Sequence, residues 1–173
     1  MLKIAYHPIY KYTLPEGHRF PMAKYELLPK FLLKHGICTE TNFFEPKKVS
    51  AEVIKQVHTE AYYNRLINLE IDKKEIRKMG FPLRSELVER GHYIIDGTIT
   101  GCEFALQHGV AMNIAGGTHH AYANHGEAFC LLNDQAVAAQ YLLDRNLAKQ
   151  ILIVDLDVHQ GNGTAKIFEA EPH

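Results

Sequence analysis

The stretch Ile151-Leu152-Ile153-Val154-Asp155-Leu156-Asp157-Val158-His159-Gln160-Gly161-Asn162-Gly163-Thr164 decides the reading of the chain. It opens as a continuous apolar run of strand length, takes on acids at its C-terminal end, and breaks at a glycine-rich turn before a last helical turn. Such a run predicts a strand buried on both faces of a parallel sheet, whose C-terminal edge is where α/β proteins bind ligands. Side chains two apart in an extended segment share a face, so Asp157 and His159 can converge on one cation. A carboxylate oxygen with an imidazole nitrogen suits zinc or another first-row divalent ion. The same two residues can also do no more than cap and solvate a strand end.

Working outward, residues 110–115 (VAMNIA) read as a second buried strand and residues 134–147 as a helix, with a loop of small residues, histidines and acids between them. Leu2 to Tyr6 form a third strand-length run. Met22 to His35 has helical spacing through Met22, Tyr25, Leu27, Leu28, Phe31 and Leu32, with Gly36 as its cap and Pro29 either kinking it or starting a second helix. Residues 50–78 predict charged helical pieces at the surface, ended by Met79-Gly80-Phe81-Pro82. Ser85 to Gln107 predicts a long buried helix in which Gly97 and Gly101, four apart, allow close backbone packing. Helices alternating with fully apolar strands predict an α/β fold with a parallel sheet, in one domain without repeats or linkers. Three strands are few for such a unit, so residues 1–173 read as one incomplete domain.

The 173 residues are 46% apolar and 23% charged, with a formal net charge of −1, so no global positive field exists to hold nucleic acid or anionic lipid. The cysteines Cys38, Cys102 and Cys130 are too few and too scattered for a disulfide scaffold. No apolar run reaches membrane-span length and the N-terminus lacks signal-peptide character, so a cytoplasmic location is expected, with no membrane partner.

Eleven histidines concentrate attention on the second half of the chain. Gly116-Gly117-Thr118-His119-His120 follows the strand at 110–115, and adjacent imidazoles can supply a base and an acid near neutral pH, although a bare pair is more often a surface or core feature. Phe129-Cys130-Leu131-Leu132-Asn133-Asp134 leads into a helix that Asn133 or Asp134 can cap. Cys130 reads as a small buried hydrophobe rather than a nucleophile, because apolar neighbours raise a thiol pKa.

The order and spacing of these three motifs resemble the histone deacetylase superfamily, including its bacterial members and acetoin-utilisation proteins, with the arginase/deacetylase α/β fold. Tyr6-His7-Pro8 and the run from Leu14 to Tyr25 resemble the start of bacterial and class IV-like members. The resemblance implies a three-layer parallel-sheet fold of which this chain is the N-terminal part. It makes Asp157 and His159 two of three zinc ligands, the third falling beyond His173, and makes His119 and His120 the catalytic pair. Asp155 then orients His119, and Asn162 is the partner of His120, a neutral amide where some members carry aspartate and so less stabilising to a charged ring.

The resemblance also implies that Phe129 and Gly117 line the substrate channel and that Arg19 lies in an internal channel beneath the metal. A potassium ion would contact Asp155, Asp157 and His159. Ala128 stands where many relatives have glycine, which would narrow acyl choice, and no substrate-gripping aspartate is evident between Met79 and Arg84. The implied activity is zinc-dependent deacylation of an N-acylated lysine or a small acylated amine, in a protein able to form homo-oligomers. Two alternatives stay open: a non-catalytic metal-binding or interaction fragment, and an arginase-like ureohydrolase, which Gln160 and Asn162 disfavour because two metals need more carboxylates.

Overall fold

The computed structural model describes residues 1–170; Glu171-Pro172-His173 lie outside the described residues. Three short parallel strands, β1 (Lys3–Ala5), β2 (Phe43–Phe44) and β3 (Ala111–Asn113), form a sheet in the order β2-β1-β3. Ile4 faces Phe43 on one side and Met112 on the other. Ile4 and Ala5 are fully buried, which makes β1 the centre of the sheet. The helices are α1 (Lys24–Lys34), α2 (Ala51–Ile54), α3 (Glu60–Ile67), α4 (Lys73–Met79), α5 (Ser85–His108), α6 (Asp134–Asp144) and α7 (Asn162–Ile167).

The 24-residue α5 is the spine of the fold, packing on β1, β3 and α6. Gly97 lets it approach β1: a Cβ there would meet Tyr10 Oη at 2.5 Å and Ala5 Cβ at 3.1 Å. The helix stops at Gly109, whose positive φ closes the last turn onto the Ala105 carbonyl. α6 begins where Asn133 Oδ1 accepts the Ala136 amide at 3.0 Å.

Four expectations change. The run 151–157 is not a strand: among the described residues it pairs with none, and Leu152, Val154, Leu156 and Val158 are exposed. Ile151 and Ile153 do reach an apolar groove against Ala139, Leu143 and Phe168. An apolar run encodes a preference for burial on both faces, but strand formation also needs a neighbouring edge, and the described residues cover only one face. β2 lies in a stretch of two aromatic residues too short for any period to show.

The region 50–78 is not merely surface, because Ile54, His58, Tyr62, Tyr63 and Leu66 enter the core. In α1 only Tyr25 and Pro29 are buried, while Leu27, Leu28 and Phe31 are exposed, and Pro29 sits inside the helix without ending it. No helix among the described residues is long and apolar enough to cross a membrane.

Candidate active site

The loop after β3 brings His119 and His120 side by side, with ring centroids 4.2 Å apart. His119 is buried, and its Nδ1 is 2.5 Å from Asp155 Oδ2. The Nδ1 of His120 is 2.6 Å from Asn162 Oδ1. Each ring thus donates from Nδ1 to an oxygen behind it, which leaves Nε2 as the nitrogen available to the cavity both rings line. Hydrogen bonds from His119 and from the Asp157 amide hold the Asp155 carboxyl below the usual carboxylate range.

Asp155, Asp157 and His159 lie on a turn closed by their own carboxylates: the Asp157 amide donates to Asp155 at 3.0 Å and the His159 amide to Asp157 at 2.8 Å. The His159 amide and ring, both against the Asp157 carboxylate, lower the Asp157 pKa. Asp157 Oδ1 and His159 Nδ1 are 3.0 Å apart and line the same cavity as the tandem histidines. In kind this pair fits a zinc ion. In number it falls short, since no group of three or more His, Cys, Asp or Glu is gathered for a metal among the described residues.

The cavity, of about 540 Å³, takes in every site residue expected from sequence except Asp155 and Asn162, which stand behind the histidines. Gly117 lines it in the left-handed conformation, φ 88°. Phe129 packs on Phe20 and Phe81, with centroids 5.0 and 5.1 Å away, and its loop is pinned to the end of α4 by amides of Ala128 and Phe129 donating to Lys78 and Met79 carbonyls. Gly80 is required beneath it, because a Cβ there would strike the Phe129 ring at 2.7 Å.

Arg19 lines this cavity and is exposed among the described residues, with its guanidinium 4.9 Å from the Phe129 ring centroid, where a planar cation finds an aromatic face. Lys24 lines the same cavity, stacked over Phe20 and Tyr25, and sequence reasoning missed it because a lysine opening a helix looks like ordinary surface. Cys130 is buried and its thiol is pushed up to about 12 by desolvation, which removes it as a nucleophile near neutral pH.

Ala128 and Phe129 are both left-handed, with φ of 44° and 69°. For alanine this conformation costs on the order of 1 kcal/mol. Ala128→Gly is therefore expected to raise stability by up to about 1 kcal/mol in urea denaturation, the gain being trimmed by glycine's greater unfolded-state entropy. A loss instead would mean that the methyl's packing outweighs the backbone strain.

The parallel-sheet α/β fold thus places paired histidines, backed by a carboxylate and an amide, beside an Asp-x-His turn. The sequence model of the histone deacetylase domain matches residues 18–173, and the chain belongs to that family. An uncharacterised protein of Picosynechococcus is 42% identical over 169 residues, covering 98% of this chain and 56% of that protein. The acetoin utilization protein AcuC of Bacillus subtilis is 26% identical over 178 residues, covering 96% of this chain and 46% of AcuC. The crystal structure of a histone deacetylase homologue from Aquifex aeolicus superposes with a TM-score of 0.83 at 27% identity, over 96% of this chain and 47% of that one. The chain thus spans about half the length of these relatives.

Proposed function

We propose that the protein containing this chain is a zinc-dependent deacylase that hydrolyses the amide of an N-acylated lysine or a small acylated amine. The observation that carries this reading is the matched pair of Nδ1 bonds, His119 to Asp155 and His120 to Asn162, which orients both rings toward the cavity holding Asp157 and His159.

Asp157 and His159 would hold the zinc ion, with a third ligand from outside this chain, and the ion would supply Lewis acidity toward the amide carbonyl and the attacking water. A potassium ion would sit at the same turn, against Asp155, Asp157 and His159. His119 Nε2 takes the proton from water as its oxygen adds to the acyl carbon, and the Asp155 carboxylate at Nδ1 stabilises the imidazolium that forms. The same Nε2 returns that proton to the amine nitrogen as the C–N bond breaks, releasing amine and carboxylate, while His120, whose Nδ1 donates to Asn162, offers its Nε2 as a second acceptor for the attacking water. Phe129 offers an apolar wall to a lysine stem, and Ala128 adds a methyl beside it that favours short acyl groups. Arg19 and Lys24 place positive charge where a released carboxylate can be met.

The test is hydrolysis of an acetyl-lysine peptide by the full-length, zinc-loaded protein. The double variant His119→Ala, His120→Ala is expected to lose at least about a hundredfold in turnover while keeping its fold, the contribution general acid–base groups make. Turnover like the wild type's would overturn the assignment.

A further inference from the structure

Asp134 is the most deeply buried carboxylate among the described residues, 1% exposed, and no cation pairs with it there. A buried, unpaired carboxylate is costly unless hydrogen bonds replace its water. As the first residue of α6 it invites reading as a cap, yet Asn133 already performs that task. The Asp134 carboxylate turns instead to the loop before the tandem histidines. Its Oδ1 accepts the amides of Thr118 at 2.7 Å and Gly117 at 3.0 Å and lies 2.6 Å from the Thr118 hydroxyl. Its Oδ2 accepts the Thr98 hydroxyl of α5 at 2.5 Å, and that hydroxyl accepts Asn113 Nδ2 at 2.8 Å.

We propose that Asp134, braced by Thr98, is a positioning residue that holds the backbone at Gly117 and Thr118 and thereby sets where the His119 and His120 rings stand. The inference rests on the reading of those rings as the proton-transfer pair. Three features support it. An acceptor-only carboxylate suits converging amide and hydroxyl donors, whereas an amide would set its own N–H against one of them. Gly116 lacks a positive φ, so its backbone does not demand glycine, but a Cβ there would meet Asp134 Oδ2 at 2.9 Å and Thr98 Oγ1 at 3.3 Å. The bonds from Asn113 through Thr98 and Asp134 to Thr118 tie the end of β3, α5 and α6 to the loop, so the rings are referenced to the rigid part of the fold.

The experiment uses the full-length protein carrying Thr98→Val, Thr98→Ser or Asp134→Asn. It measures kcat and KM on an acetyl-lysine peptide, thermal midpoints, and the ring C–H NMR signals of His119 and His120. Thr98→Val is expected to lower kcat about tenfold, with KM within about twofold, and Thr98→Ser to restore it; Asp134→Asn is expected to lower kcat about a hundredfold, the usual consequence of misplacing reacting groups by about an ångström. The two histidine signals should shift in Asp134→Asn while those of His35 and His108 stay in place.

Unchanged kcat and unchanged signals in both Thr98→Val and Asp134→Asn would overturn the proposal. So would a loss that Thr98→Ser fails to restore, or one that only follows the thermal midpoint. If Asp134→Asn does not fold, the Thr98 pair decides. If the wild type hydrolyses no acyl-lysine, the functional reading falls, and the NMR signals still decide whether Asp134 positions the rings.

Discussion

Replacing Gly163 by alanine is expected to destabilise the protein by about 3 kcal/mol, the upper range for forcing an extra carbon into close-packed surroundings. A Cβ at this position would press on the Ala121 carbonyl oxygen and meet Ala121 C and His119 O at 2.7 Å. All three are backbone atoms, so no rotamer change can relieve the contact. The segment that must move carries His119, whose carbonyl accepts the Thr164 amide at 3.1 Å. Denaturation of Gly163→Ala against wild type measures the stability change, and turnover of the full-length variant should fall further than its folded fraction. A variant as stable as wild type would mean that α7 can move off the histidine loop without penalty.

Acidification is expected to weaken the fold through His58 by about 3 kcal/mol between pH 6.5 and 4. Its ring is 1% exposed and Nε2 accepts the Asn133 amide at 2.9 Å, so the proton sits on Nδ1. That nitrogen faces the backbone near Tyr122 and Ala123 without a well-aligned hydrogen bond. Desolvation pushes the pKa down from 6.5 to about 4. Within this window the unfolded chain binds a proton that the folded one refuses. The contribution is therefore complete above the unfolded pKa, falls as pH drops, and is exhausted below about 4. Burial lowers the His92 pKa in the same sense, so the difference between wild type and His58→Gln isolates the His58 share. Thermal midpoints with the same pH slope in both proteins would refute the assignment.

The His58 bond also reaches the site. Asn133, which donates to it, uses Nδ2 to hold the Ala121 carbonyl at 3.1 Å and the Thr164 hydroxyl at 2.9 Å, so the junction between α2 and α3, the start of α6, and α7 all meet under the tandem histidines. None of this was legible in sequence, where His58 is one histidine among eleven in a stretch that reads as charged surface. Long-range pairs such as His58 with Asn133 leave no periodicity, because contact across 75 positions depends on how helices stack and not on local spacing. The Thr98–Asp134 brace was hidden for the same reason.

Other parts of the site were written locally. The His-His pair and Asp155-Leu156-Asp157-Val158-His159 stand in adjacent or alternating positions, and in the structure Asp155 meets the His119 ring and Asn162 the His120 ring. The long helix at 85–108, its close-packed Gly97 and the Asn133 cap were likewise readable, since helical period, a missing side chain and a cap are all local signals. The run 151–157 shows the limit of such reading: its apolar character is intrinsic, but strand pairing needs an edge alongside, and the described residues supply none. Sequence by itself determined the α/β fold class, the long helix that opens at Ser85, and the local adjacency of the His-His and Asp-x-His residues. Only tertiary structure decided that Arg19 lies on Phe129, that residues 50–79 feed the core, and that a buried carboxylate grips the histidine loop, because each depends on atoms brought together by packing from distant parts of the chain.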